Sequence, residues 1–224
     1  MIIHSNIRHM RRYQYAEKKY HFNDGNFLYW KCSVCKRKHG IHRGGAFQTA
    51  KLEGYLNGSV PATIDLTFSG PSVGFGAYEF NGNSRVTFGG FMNLSFPMKF
   101  KTEVKTDYGK ESGEGNIKDG FDSYIIFDAL IGPVIKVFST DRVEILLTPG
   151  GHFRYDRFKV IGKSSGGDLY LGFGANAGIN VYFTKSLYAA GKFTFAYDFF
   201  LTGIDDTIKN GMTILPALGL GYKF

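Results

Sequence analysis

Three groups of residues have types and spacings that can do chemistry. Cys32-Ser-Val-Cys35, followed by His39 and His42, offers two thiolates and two imidazoles, the donor set of a tetrahedral zinc site. Zinc folds of this kind leave a dozen or more residues between the paired ligands to wrap the metal, and here three residues separate Cys35 from His39. The spacing argues against a metal, and the lack of a surrounding βαβ pattern argues against thioredoxin-like redox use. His152, with Arg154 and Asp156 two and four residues on, is a base with a carboxylate at like parity. In an extended strand each residue rises about 3.3 Å, so His152 and Asp156 cannot pair directly, and a polar network is expected in place of a hydrolytic triad. Gly172-Phe-Gly174-Ala-Asn-Ala177-Gly178 partly matches a dinucleotide fingerprint, which works at a strand-turn-helix junction. Here the glycines fall on one face of a continuing strand. The expectation is no catalytic, cofactor or metal site, no cofactor, and no enzyme.

The elements that carry these residues are strands. In the last fourteen residues Met212, Ile214, Pro216, Leu218, Leu220, Tyr222 and Phe224 share one parity, opposite Gly211, Thr213, Ala217, Gly219, Gly221 and Lys223. A period of two belongs to a strand and excludes a helix. From Leu169 to Phe183 the odd positions are apolar and the even ones are Gly, Asn and Tyr. From Leu187 to Leu201 the charges, Lys192 and Asp198, fall on the even side alone. Residues 62–80, 85–96, 98–108, 121–138 and 143–157 repeat the alternation, with breaks at Gly70-Pro71, Gly132-Pro133 and Pro149-Gly150-Gly151.

Short connections at Phe96-Pro97, Ser139–Arg142 and Thr184–Ser186 alternate with longer polar ones at Asp107–Gly120, Ile161–Asp168 and Thr202–Asn210. Short turns at one end and long loops at the other are the habit of membrane barrels. The fold expected is all-β: an eight-stranded, antiparallel, up-and-down transmembrane β-barrel over residues 61–224, with ten strands as the alternative.

Volume decides which face is outside. An eight-stranded barrel has a bore that its own side chains fill. The bulky apolar side of these strands does not fit there, and in water it would aggregate. The small and charged side therefore points inward, giving a lumen lined by Arg85, Lys99, Lys101, Glu103, Lys105, Asp122, Asp128, Lys136, Glu144, His152, Arg154, Asp156, Lys192 and Asp198. A soluble lipocalin-like barrel would need a charged outer face, which the strands from Leu169 and Met212 lack.

Residues 1–60 hold eleven of the 27 Lys and Arg and three of the 19 Asp and Glu, so the whole net charge of +8 lies there. Both cysteines, the tryptophan and five of the six histidines lie there as well. The composition break near Gly58-Ser59 separates a basic, disordered or poorly structured segment, 1–60, from the barrel, 61–224. The cluster Lys31, Lys36, Arg37, Lys38 and Arg43 reads as a solvated tail before it reads as a site for nucleic acid or anionic lipid. A secretory signal needs an apolar core of roughly 7–15 residues, and Phe27-Leu28-Tyr29-Trp30 is too short. The segment is accordingly expected to lie outside the mature protein.

The closing strand with Leu218, Leu220, Tyr222 and Phe224 resembles the carboxy-terminal assembly signal of outer-membrane proteins, and the barrel portion resembles the small eight-stranded families typified by OmpW and OmpA. The resemblance implies residence in the bacterial outer membrane, with outer-membrane lipid and the barrel-assembly machinery as partners and no nucleic acid. It also implies one of two roles: a narrow channel or carrier for small hydrophobic molecules, or a non-transporting, structural or host-facing barrel that works through its loops.

Overall fold

The computed structural model describes residues 35–56, 60–81, 84–162, 165–203 and 208–224. They form β1 (Cys35–Leu56), β2 (Val60–Asn81), β3 (Val86–Ser95), β4 (Lys99–Thr106), β5 (Gly109–Asn116), β6 (Phe121–Ser139), β7 (Val143–Val160), β8 (Ser165–Tyr182), β9 (Leu187–Thr202) and β10 (Ile208–Lys223), with a 3-10 turn at Ile117–Asp119. Every pairing is antiparallel, and the order β1-β10-β9-β8-β7-β6-β3-β2 returns to β1 through β1–β2. The sheet therefore closes on itself as a ring of eight staves, with no open edge along the ring itself.

The eight staves differ from the expected set in two places. Residues 35–56, read as part of a poorly structured tail, are β1, hydrogen-bonded to β10 on one side and along its whole length to β2 on the other. The barrel thus includes residues 35–56 and does not begin at 61, because β1 satisfies its backbone groups in two ladders that nothing else in the ring could supply. The chain also does not reverse at Phe96-Pro97. β3 pairs with Ser72–Tyr78 and β4 with Ala62–Ser69 of the same β2, and Phe96 N to Pro71 O (2.9 Å) and Met98 N to Ser69 O (2.8 Å) carry the ladder across the junction. Proline donates no hydrogen bond, so the stave bulges there and its facing parity slips by one residue.

Phe193, Phe195, Leu218 and Leu220 are 50%, 44%, 74% and 61% exposed on the outer wall, while Asn180, Thr194, Asp198 and Thr213 of the neighbouring positions are buried in the bore. This outward apolar belt spans β1 to β3 and β6 through β10 and makes the chain a membrane-spanning barrel. The strand ends at Asn81, Ser139 and Tyr182 lie at the end that carries Phe224, and those at Leu56, Val160 and Thr202 lie at the other. We call these the turn end and the loop end.

At the loop end the sidedness inverts. Phe68 of β2 points inward (5% exposed) and packs with Ile117, Tyr124 and Ile126, with Leu66, Phe100, Phe121 and Phe158 around them. Here the outside is water, so the apolar residues of the upper β2 and β4 turn into the bore and their charges turn out. The segment Asp107–Gly120, expected as a loop, is instead a hairpin arm. β5 folds back on β4 and extends the sheet beyond it, and the 3-10 turn ties its base through Ile117 N to Met98 O, 2.9 Å.

Candidate functional site: the filled bore

The bore is crossed at two levels by charged groups that small lumen-facing neighbours leave room for. At the first level are His152, Arg154 and Asp156 of β7, Asp128 of β6, Asp198 of β9, Thr213 of β10 and Gln48 of β1, all buried. His152 Nδ1 lies 2.6 Å from Asp198 Oδ1, and its Nε2 faces Asp128 Oδ1 at 3.7 Å. Thr213 Oγ1 donates to the second oxygen of Asp198 (3.1 Å), and Gln48 Nε2 donates to Asp128 Oδ2 (2.8 Å) and toward Ser95 Oγ (3.2 Å). Arg154 grips Asp156 with both Nε (2.7 Å) and Nη2 (2.5 Å), donates Nη1 to the carbonyl of Thr49 on β1 (2.9 Å), and lies over the Tyr170 ring at 4.8 Å. Tyr124 completes the set by donating to Asp156 Oδ2 at 3.1 Å. Buried charges survive in pairs with their lone pairs and protons used, and this network meets that condition for Arg154, Asp156 and Asp198.

At the second level, nearer the turn end, the Lys38 ammonium meets the Glu144 carboxylate inside a cage of Tyr78, Phe80 and Tyr182 rings. Tyr182 donates to Glu144 (2.7 Å), and Asn180 donates to the Tyr78 hydroxyl (2.9 Å). Lys136 lies over Phe80 at 4.2 Å, and Lys192 lies over Phe91 at 4.1 Å. Between the two levels a cavity of about 40 Å³ is bounded by His42, Asp128, His152, Asn176 and Lys192 among others. His42 Nδ1 and Nε2, Asp128 Oδ1 and His152 Nε2 have no hydrogen-bond partner in the protein. A space of this size and polarity suits a few ordered waters, which would satisfy them.

Of the residues expected in the lumen, Asp128, Lys136, Glu144, His152, Arg154, Asp156, Lys192 and Asp198 face it. Lys99, Lys101, Glu103 and Lys105 do not. They lie on the outer face of the hairpin arm, where Lys105 pairs with Asp65 (2.7 Å) and Glu103 (3.1 Å), and Lys110 pairs with Glu103 (2.8 Å). The Pro97 bulge reverses the parity of this part of the stave, and water outside the arm stabilises the reversal. Asp122 sits at the loop-end rim in an exposed pair with Lys159 (3.0 Å), and Arg85 is exposed at the turn end. Lys38, His42 and Gln48 are lumenal residues that sequence reasoning missed, because all three belong to β1.

The remaining sequence candidates resolve by side. His42 is buried in the bore, whereas His39 is on the outer wall, stacked on Phe75 at 5.9 Å and edge-on to Phe224 at 5.6 Å. The two imidazoles face opposite sides of β1; Cys32 and Lys31 lie outside the described residues. Among the described residues no cluster of three or more His, Cys, Asp or Glu could hold a metal ion. The Thr213 hydroxyl hydrogen-bonds Asp198 and not the imidazole, so the pair His152–Asp198 is not presented with a nucleophile by that residue. Leu218, Leu220, Tyr222 and Phe224 form one outward file at the end of β10, with Tyr222 and Phe224 in ring contact at 4.8 Å.

No family model and no curated protein sequence matches the chain. Solved structures similar to it are small outer-membrane proteins. Neisserial surface protein A is 14% identical over 82% of this chain and 97% of its own, with a TM-score of 0.46. OprG from Pseudomonas aeruginosa is 13% identical over 84% and 95%, with a TM-score of 0.44. Ail of Yersinia pestis, solved with a heparin analogue, is 13% identical over 84% and 99%, with a TM-score of 0.42.

Proposed function

We propose that this chain is a bacterial outer-membrane barrel with a closed bore, a rigid scaffold that works through its loop end, and that it is neither an enzyme nor a through-lumen channel. The observation that supports this reading is the pairing of charges across the bore: Lys38 and Arg154 each reach from one wall to the opposite one. A conducting pore of eight strands needs lumenal charges held to the sides with gaps between them. Here Lys38 and Glu144, and Arg154 and Asp156, are used up on each other. What extends beyond the membrane is the hairpin arm of β4 and β5, whose outer face carries alternating Lys and Glu in mutual pairs. Such a surface is suited to contact with another macromolecule in water.

Planar-bilayer recording of the folded chain tests the closed bore: no steady openings are expected, and a regular single-channel conductance would overturn the reading. Adherence of bacteria displaying the barrel to immobilised epithelial cells tests the surface role. It should fall to the background of non-displaying cells when residues 101–114 are replaced by a two-residue turn, and unchanged adherence would rule the arm out.

A further inference from the structure

Arg43 stands on the outer wall, exposed, with no carboxylate paired to it among the described residues. Its cross-strand neighbours are Leu218 on β10 and Val73 on β2, and Ile41 and Phe47 lie before and after it on the same face of β1. It is therefore an arginine inside the apolar belt, eight residues after the start of β1 and thirteen before its end, on the turn-end side of the stave's midpoint. A cation facing acyl chains is unfavourable unless something neutralises it.

The wall around it is not flat. On one side of Arg43 a groove of about 670 Å³ runs over Gly45, Ala177, Gly191 and Pro216, where small outward residues leave a dent between Ile145, Ile179 and Phe193. On the other a groove of about 660 Å³ runs over Ile41, Val73, Phe96 and Leu220. Arg43 and Leu218 belong to both. Lys192 adjoins the first groove with its ammonium turned away from it, into the bore over Phe91. Neither groove has an Asp or Glu in its lining. Two apolar channels thus meet at a cation.

We propose that this wall binds one molecule of an anionic phospholipid, its phosphate on the Arg43 guanidinium and one acyl chain in each groove. Guanidinium and phosphate match in planar, charge-assisted geometry, and a two-chain lipid fits two grooves that diverge from one charge. A second copy of the chain fits poorly, because a two-fold contact through this wall would set Arg43 against its own counterpart. The inference is independent of what the loop end does and rests on the barrel being embedded in lipid.

Native mass spectrometry of the full chain, folded in a neutral detergent and offered phosphatidylglycerol, phosphatidylcholine or oleate, decides it. One phosphatidylglycerol should be retained about tenfold better than phosphatidylcholine, whose phosphate is already countered by its own choline ammonium. Arg43→Gln should erase the preference while gel mobility still shows a folded barrel, and Arg43→Lys should keep part of it. Ala177→Trp, which fills the first groove without touching the charge, should weaken retention of both phospholipids. Equal retention of the two phospholipids by the unaltered chain, retention of oleate ahead of phosphatidylglycerol, or a dimer that excludes lipid and survives Arg43→Gln would each overturn the proposal.

Discussion

Lys38 and Glu144 meet across the full diameter of the barrel. Their staves, β1 and β7, stand four places apart in either direction around the ring of eight, and both side chains are buried at the contact, 2% and 6% exposed. The pair is a strut, and it joins the first stave of the ring to the stave farthest from it.

Removing one end of that strut should cost far more than removing both. Lys38→Met leaves the Glu144 carboxylate buried with the Tyr182 hydroxyl as its hydrogen-bond donor and no ion-pair partner in contact, and a buried charge so stranded destabilises by about 3–5 kcal/mol. The double variant Lys38→Met with Glu144→Leu replaces the pair by apolar bulk and should recover most of the loss. Urea unfolding of the barrel in lipid vesicles, followed by heat-modifiable mobility, reads both. Additive losses would mean that the two side chains do not interact.

Within one glycine-rich run, two alanine substitutions should behave oppositely. A Cβ on Gly172 would run into the carbonyl oxygen of Tyr197 on β9, which is backbone and cannot move aside, whereas a Cβ on Gly178 has its nearest neighbours at 3.8 Å. Gly172→Ala should therefore reduce the folded yield severely and Gly178→Ala should leave it unchanged, as scored by the fraction migrating as compact barrel. The run is packed to let β8 approach β9, and a nucleotide plays no part in that argument.

The hairpin arm should be pH-sensitive at its two extremes. Hydrogen bonds from Lys110 and then Lys105 hold the Glu103 carboxyl below the usual glutamate value, and hydrogen bonds to Asp65 and then Glu103 hold the Lys105 ammonium above the usual lysine value. A depressed carboxyl contributes stability that is present above its unfolded pKa and lost as pH falls through its folded one. A raised ammonium contributes stability that is present below its unfolded pKa and lost as pH rises through its folded one. Amide protection in β4 and β5 should consequently be flat across neutral pH and drop at both ends. Lys110→Gln should move the acid limb toward neutral pH and leave the alkaline limb in place. An acid limb that stays put in that variant would show that Lys110 does not hold the carboxyl down.

What could be read from the residues alone follows from how strongly each wall contrasts. β8, β9 and β10 alternate Phe or Leu outside with Gly, Asn or charge inside, so their faces, and the inward place of Lys192 and Asp198, were legible. β1 sets His39, Arg43, Gly45 and Thr49 among its outward residues, and its basic character made it look like a tail. The signal that would have found it is the even file of Lys38, Gly40, His42, Gly44, Ala46 and Gln48, small or polar throughout as a lumen demands. Lys99 to Lys105 misled for a different reason. Alternation fixes which residues share a face but not which solvent that face meets, and the arm has crossed from lipid into water. The Pro97 bulge then hid a single stave behind two apparent ones.

The first stave gives the last test. β1 is bonded to both of its neighbours, and without it β2 and β10 become open edges with unpaired backbone groups inside a bilayer, an arrangement that lipid does not tolerate. A chain starting at residue 57 should fail to form a compact barrel, and should aggregate through those edges. A chain starting at residue 35 retains every inter-strand ladder of the ring and should fold with heat-modifiable mobility and urea midpoint close to those of the full chain. A folded, compact product from residue 57 onward would mean that seven staves close without β1, and that the ring described above is not the one the protein uses.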